Sequence, residues 1–279
     1  MYKKFISTIC SILVFLLILP VSCSKTEDSS KATTYTFGGS STVAPIMNDA
    51  IPKFEEKEGV KVSYETLGSS VGLKQLISGT LTLAGSSREL KQSEIESGLK
   101  PIVIALDGLS VAVNKDVGID NITLDDLASV FAGEITNWKE LGGKDEKIEL
   151  IVRDETSGTY GSFKEIVLDK ANKEVSENAI VARENGEVAI KISSTPGAIG
   201  YIGMAFNHIV EEAGGKVLSI NSVKPTAETV TDGTYPISRP LYLVTKGDLQ
   251  NGVEKDYIDF ILSNIGQEVV ESNGFIRIN

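Results

Sequence analysis

The chain has 279 residues and a formal charge of −11 at pH 7, with 41% hydrophobic, 6% aromatic and 23% charged residues. This composition excludes a disordered or collagen-like chain, and an acidic balance with no basic run beyond Lys3-Lys4 excludes a non-specific nucleic-acid binder, which needs clustered Lys and Arg. With one histidine and two cysteines there is no four-ligand zinc site, and His208 has no nucleophile signature beside it for a catalytic triad, so neither metal, cofactor nor enzyme activity is expected.

From the N-terminus, Lys3 and Lys4 precede an apolar run, Ile6 to Leu19, of 14 residues. A membrane-spanning helix needs roughly 20, so residues 1–22 read as a cleaved export signal. The run ends in Leu19-Pro-Val-Ser-Cys23, which resembles a bacterial lipobox with Pro20 where Leu is usual. Cys23 is then the lipidated first residue of the mature chain, and residues 23–32 are a polar tether. The expected location is extracytoplasmic, in the periplasm or at the cell surface, anchored to the membrane by lipid on Cys23. Cys10 leaves with the signal, so stability must come from core burial rather than a disulfide.

A short strand at Tyr35–Phe37 runs into Gly38-Gly-Ser-Ser-Thr42, and Ile46, Met47, Ala50, Ile51 and Phe54 then keep helical spacing. Val60, Val62 and Tyr64 alternate as a strand does. Gly68-Ser-Ser70 opens a helix carrying Leu73, Leu76 and Ile77. Pro101 to Leu106 is a continuous apolar run, expected as a strand buried on both faces. Leu124, Leu127 and Phe131 predict the next helix; Ile148–Val152 predicts a strand, and Arg153 to Thr159 opens a helix carrying Phe163, Ile166 and Val167. Leu241–Val244 is a further strand, followed by a helix with Tyr257, Ile258, Ile261 and Leu262. Strands alternating with helices predict an α/β fold with a largely parallel sheet covered on both faces.

In such a sheet the strand-to-helix junctions share the carboxyl edge, where open α/β folds bind ligands. Ser and Thr there are ordinary caps and Gly eases turns. Three hydroxyl-and-glycine helix starts, one bringing Arg153, together describe a site for a small oxyanion, because helix N-termini offer unpaired N–H donors. Other motifs are weaker. Gly214-Gly-Lys216 lacks the Ser or Thr of a phosphate loop and reads as a turn; Gly197, Gly200 and Gly203 read as close packing around Tyr201, and Trp138 as a packed aromatic.

The chain resembles the substrate-binding proteins of bacterial phosphate ABC transporters. The resemblance rests on Gly39-Ser-Ser-Thr-Val-Ala-Pro45, Gly68-Ser-Ser70 with Leu73-Lys-Gln75, Ser86-Ser-Arg-Glu-Leu90, Asp107-Gly-Leu109 with Val113-Asn114, Phe131 to Trp138, Arg153 to Thr159, Gly197-Ala-Ile-Gly-Tyr201 and Pro236-Ile-Ser-Arg-Pro-Leu241. It implies a two-lobed periplasmic binding protein fold of type II, with two crossover hinge strands and the ligand in the interlobe cleft. Asp107–Val113 would be the first crossing and Ile237–Val244 the return, giving lobe one as 33–109 plus 238–279 and lobe two as 110–237. It implies phosphate-binding roles for Ser41, Thr42, Val43, Ser69, Arg153, Ser157, Gly158 and Thr159, with Glu155 orienting Arg153. Many members place an Asp near Ser87 to accept the ligand's proton; here Ser87 and Arg88 stand instead, so Asp107 is the candidate acceptor, with Ser87 or Glu155 as alternatives and a strand-end cap as the other reading of Asp107. The implied function is capture of inorganic phosphate and delivery to ABC permease subunits, by a monomer. Sulfate, molybdate or a phosphorylated metabolite are alternative ligands, and an adhesin on the same fold is an alternative class.

Overall fold

The first stretch after the expected tether forms β1 (Thr34–Gly39), which opens the part of the chain, residues 34–278, that the computed structural model describes. The signal, Cys23 and the tether lie outside the described residues. Helix α1 (Ala44–Glu58) has Pro45 in its first turn, where a missing N–H costs nothing, and stops at Gly59 with a left-handed φ of 69°. Its buried stripe is Ile46, Met47, Ala50, Ile51 and Phe54, as expected. Then follow β2 (Lys61–Thr66), α2 (Ser69–Ser78), β3 (Leu83–Ser86), α3 (Gln92–Glu96) and the long β4 (Leu99–Asn114). The middle of the chain supplies β5 (Asn121–Ile122), α4 (Leu124–Phe131), β6 (Glu149–Arg153), α5 (Gly158–Phe163), β7 (Ile180–Ala182) and α6 (Asn185–Ser194). After it come β8 (Ala198–Gly203), α7 (Asn207–Glu212), β9 (Gly215–Val217), β10 (Ser219–Ile220) and α8 (Ala227–Thr231). The chain ends through β11 (Ser238–Lys246), α9 (Val253–Leu262) and α10 (Asn264–Ser272).

The main sheet runs β2-β1-β3-β11-β4-β8-β6-β7, with β9 also on β4. Within each half the strands followed by helices are parallel: β1 with β2 and β3, and β6 with β7 and β8. The halves meet through β4, which pairs antiparallel with β11 as far as Gly108 and with β8 from Leu109 onward. The sheet is therefore mixed rather than largely parallel. Apolar runs identify strands but carry no information on direction, and β4 and β11 are the elements that reverse it. Nor is the Pro101–Leu106 run buried throughout: Pro101 and Val103 are exposed, and continuous burial begins only at Asp107 and holds to Asn114.

Each half is covered on both faces. In the first, Phe37, Met47, Phe54 and Tyr257 build one core and Leu73, Leu76 and Val244 the other. In the second, Phe131, Trp138, Phe163 and Tyr201 lie on one side, and Ile151, Val188 and Ile192 on the other. Tyr201 stacks on Phe163 with centroids 3.8 Å apart, and buried Trp138 donates its indole N–H to the Gly197 carbonyl at 2.9 Å. The expected packing role of both aromatics is what the structure shows. Gly214 makes a left-handed turn before β9, and His208 is exposed, its ring nitrogen 3.1 Å from the Ala205 carbonyl.

Candidate functional site

The three predicted junctions converge. β1 delivers Ser40–Val43 to the start of α1, β2 delivers Gly68–Ser70 to α2, and β6 delivers Arg153 and then Ser157–Thr159 to α5. Two more edges join them: β3 ends at Ser86 and presents Ser87, and β7 leads through Arg183 to Asn185 at the head of α6. Contacts link the two halves directly. Thr42 Oγ1 lies 3.1 Å from Thr159 Oγ1, the Ser70 amide donates to the Thr156 carbonyl at 3.0 Å, and Ser162 Oγ donates to the Ser87 carbonyl at 3.0 Å. Gly158 is the closest approach: a Cβ there would fall inside van der Waals contact with the hydroxyls of both Ser69 and Ser87.

Arg153 lies across this junction, 2% exposed. Its Nη1 donates to Asn185 Oδ1 at 3.0 Å, and its Nη2 to Ser41 Oγ at 3.1 Å and to the Arg183 carbonyl at 2.5 Å. Its Nε is buried without a hydrogen-bond partner. Burial pulls the guanidinium below its ordinary basicity, and the charges of Glu184 and Asp154 near the mouth pull the other way. A cavity of about 480 Å³ opens beside it, lined in part by Ser41, Gly68, Ser157 and Glu184.

The helix starts are braced from within. Ser40 Oγ accepts from the amides of Thr42 (3.1 Å) and Val43 (3.4 Å) and passes its own hydrogen to Ser87 Oγ at 2.9 Å. Ser157 Oγ caps α5 by accepting from the amides of Thr159 and Tyr160, and Ser69 Oγ accepts from the Ser87 amide at 3.1 Å. Ser41, Thr42, Val43, Ser69, Ser87, Arg153, Ser157, Gly158 and Thr159 are thus brought together.

Two expectations need correction. Glu155 is exposed and makes no hydrogen bond to Arg153; the Asp154 carboxylate turns the chain there by accepting from the Thr156 amide, and Asn185 and the Arg183 carbonyl hold the guanidinium instead. Asp107 is at the junction of the halves but is not a free acceptor. Its Oδ2 takes Arg239 Nε at 3.1 Å and Nη2 at 2.8 Å, and its Oδ1 takes the Met204 amide at 3.1 Å. Burial pushes this carboxyl above the ordinary carboxylate range, against the pull of Arg239. Gly203 leaves the space, since a Cβ there would sit 3.0 Å from Asp107 Oδ2.

Ser40, Asn185 and Arg239 join the site without being marked by sequence alone. Ser40 and Arg239 lie inside motifs that sequence reading singled out, Gly39 to Pro45 and Pro236 to Leu241, but a motif does not say which members face the cleft. Asn185 had only its place after a strand as a signal.

Residues 24–264 match a family model described as a PBP superfamily domain. The chain is 40% identical over 275 residues to the phosphate-binding protein PstS of Borreliella burgdorferi, covering 96% of this chain and 98% of that one. PstS of Bacillus subtilis is 36% identical over 249 residues, with 87% and 80% covered. A crystal structure of a Clostridium perfringens ABC transporter substrate-binding protein with bound phosphate superposes with a TM-score of 0.82 at 32% identity, over 88% of this chain and all of that one. A relative of that identity and coverage, arriving together with the shared fold, settles the lineage: the chain belongs to the PstS family of phosphate-binding proteins.

Proposed function

We propose that the protein captures inorganic phosphate in this cleft and delivers it to an ABC permease. One observation carries the ligand class. Of the buried arginines, Arg88 pairs with Glu94 and Arg239 with Asp107, each at 2.8 Å, whereas the hydrogen-bond partners of Arg153 among the described residues are neutral oxygens. A buried cation without a carboxylate is costly until an anion supplies the opposite charge. The names of the relatives above point the same way, and they are binding proteins rather than enzymes. The formal net charge of −11 over the full sequence does not oppose anion capture, because exposed carboxylates act through water and are screened beyond about 8 Å at physiological salt.

On this reading the lobes are 33–109 with 238–279 and 110–237, supported by the change of β4's partner between Gly108 and Leu109. Ser41–Val43 and Ser69 reach phosphate from lobe one, and Arg153 with Ser157–Thr159 from lobe two. The decisive test is calorimetric titration of protein that has been unfolded and refolded to strip any ligand. Saturable one-to-one phosphate binding is expected; heat from sulfate or molybdate alone would reassign the ligand.

The same reading places the protein outside the cytoplasmic membrane, held by lipid on Cys23. No helix among the described residues is long and apolar enough to cross a membrane. Cys23→Ser should release unlipidated protein, and wild-type protein whose mass shows no acyl group would remove the anchor.

A further inference from the structure

Arg239 stands outside the set of groups proposed to touch phosphate, yet it is 4% exposed and reaches both halves. Its Nε and Nη2 hold Asp107; its Nη1 donates to the Ser87 carbonyl at 2.9 Å in one half and to Thr159 Oγ1 at 3.0 Å in the other. A guanidinium only donates, so the Thr159 oxygen must accept, and the Thr159 hydrogen must point elsewhere. On the opposite wall the same logic runs through Arg153. Because Arg153 can only donate to Asn185, the Asn185 amide turns its oxygen to Arg153 and its nitrogen to Thr42 Oγ1, 3.4 Å away.

Thr42 and Thr159 therefore each accept from nitrogen, and their oxygens are 3.1 Å apart. They carry two hydroxyl hydrogens, of which one can lie between them. The other has no site in that pair and is available to an oxyanion.

We propose that Arg239 is a positioning residue for phosphate capture. By donating to Thr159 it orients that hydroxyl as part of a donor pair with Thr42, and Asp107 is the buried counter-ion that holds Arg239 in place rather than the acceptor of a ligand proton. The proposal rests on the phosphate reading above and specifies how the site is polarised.

The test is a double-mutant cycle titrated with inorganic phosphate by calorimetry, using Arg239→Lys and Thr159→Val singly and together. Lysine keeps the charge beside Asp107 but loses the planar fork that reaches Thr159 at the same time. Each single change is expected to weaken phosphate binding about tenfold, the scale of one hydrogen bond to a charged ligand. The double variant should bind about as well as Thr159→Val alone. A merely structural role would lower the melting temperature and give losses that multiply, about a hundredfold together. Multiplying losses, or wild-type affinity in Arg239→Lys, overturn the proposal while leaving phosphate binding intact. If Arg239→Lys does not fold, Asp107→Asn with Arg239→Gln keeps a neutral hydrogen-bonded pair and enters the same cycle. Wild-type protein that shows no phosphate heat overturns both readings, which keeps the two failures apart.

Discussion

Arg153→Ala should weaken phosphate binding by roughly 10- to 150-fold, since hydrogen bonds to charged groups are worth about 1.5–3 kcal/mol. Arg153 brings a full positive charge and a buried, unpartnered Nε into the cleft, so its loss removes both charge and directed donors. Lysine at 153 should restore only part, because it lacks the planar fork and its three donors fall short of Asn185, Ser41, the Arg183 carbonyl and the anion together. Stability should move the other way. Arg153→Met, of similar length, removes a buried cation whose hydrogen-bond partners are neutral oxygens and whose nearest carboxylates, Glu184 and Asp154, act only from a distance, so the ligand-free protein should melt no lower than wild type. Wild-type affinity in Arg153→Ala would place the anion elsewhere; a large fall in the melting temperature of Arg153→Met would mean the guanidinium is structural.

A comparable loss is expected from one methyl group at Gly158. In the observed arrangement an added Cβ would collide with Ser69 Oγ and Ser87 Oγ, short buried side chains with no flexible stem to yield. The halves must then separate by roughly 1–2 Å to restore ordinary contact distances of about 3.5–4 Å. Displacements of that size can cost about 10²-fold in reactions that need converging groups, and the same scale is expected here for phosphate affinity. Gly158→Ala should still fold, because its neighbours across the junction belong to neither half's apolar core. Small-angle scattering with phosphate should show wild type contracting and the variant much less so. Tight binding by the variant would show that the halves do not close on Gly158 in this way.

Much of this site was legible because its parts obey local rules. Serine, threonine and glycine at helix starts follow from capping and turn chemistry, and the stripes Ile46–Phe54 and Tyr257–Leu262 are visible as helical spacing. What stayed hidden depends on partners far apart in sequence. Asp107 and Arg239 are 132 positions apart, and neither type alone reveals that one is spoken for by the other. Arg239 stands between Ser238 and Pro240, ahead of the apolar run Leu241–Val244 that reads as strand, and nothing local shows which way its side chain turns. Glu155 failed for the opposite reason: nearness to Arg153 along the chain suggested a contact that the turn at Asp154–Thr156 denies. Strand direction was similarly unreadable, because β4 and β11 have the composition of the parallel strands around them.

The first half of the sheet is assembled from both ends of the described chain, with Phe37 and Phe54 packed edge-on against Tyr257 and the backbone of Leu106 bridged to Ile276. The second half is continuous in sequence except that Ile276 joins its core from the C-terminal end. A chain that emerges N-terminus first from a ribosome or a translocation pore therefore has nearly all of its second half in hand while the first still lacks α9, α10 and the last pairing for β4. During that interval Phe37, Met47 and Phe54 have no permanent cover, and the long loop between them and Tyr257 must close before their burial is complete. Vectorial synthesis thus makes the half bearing Ser41 and Ser69 the last whose core can be completed.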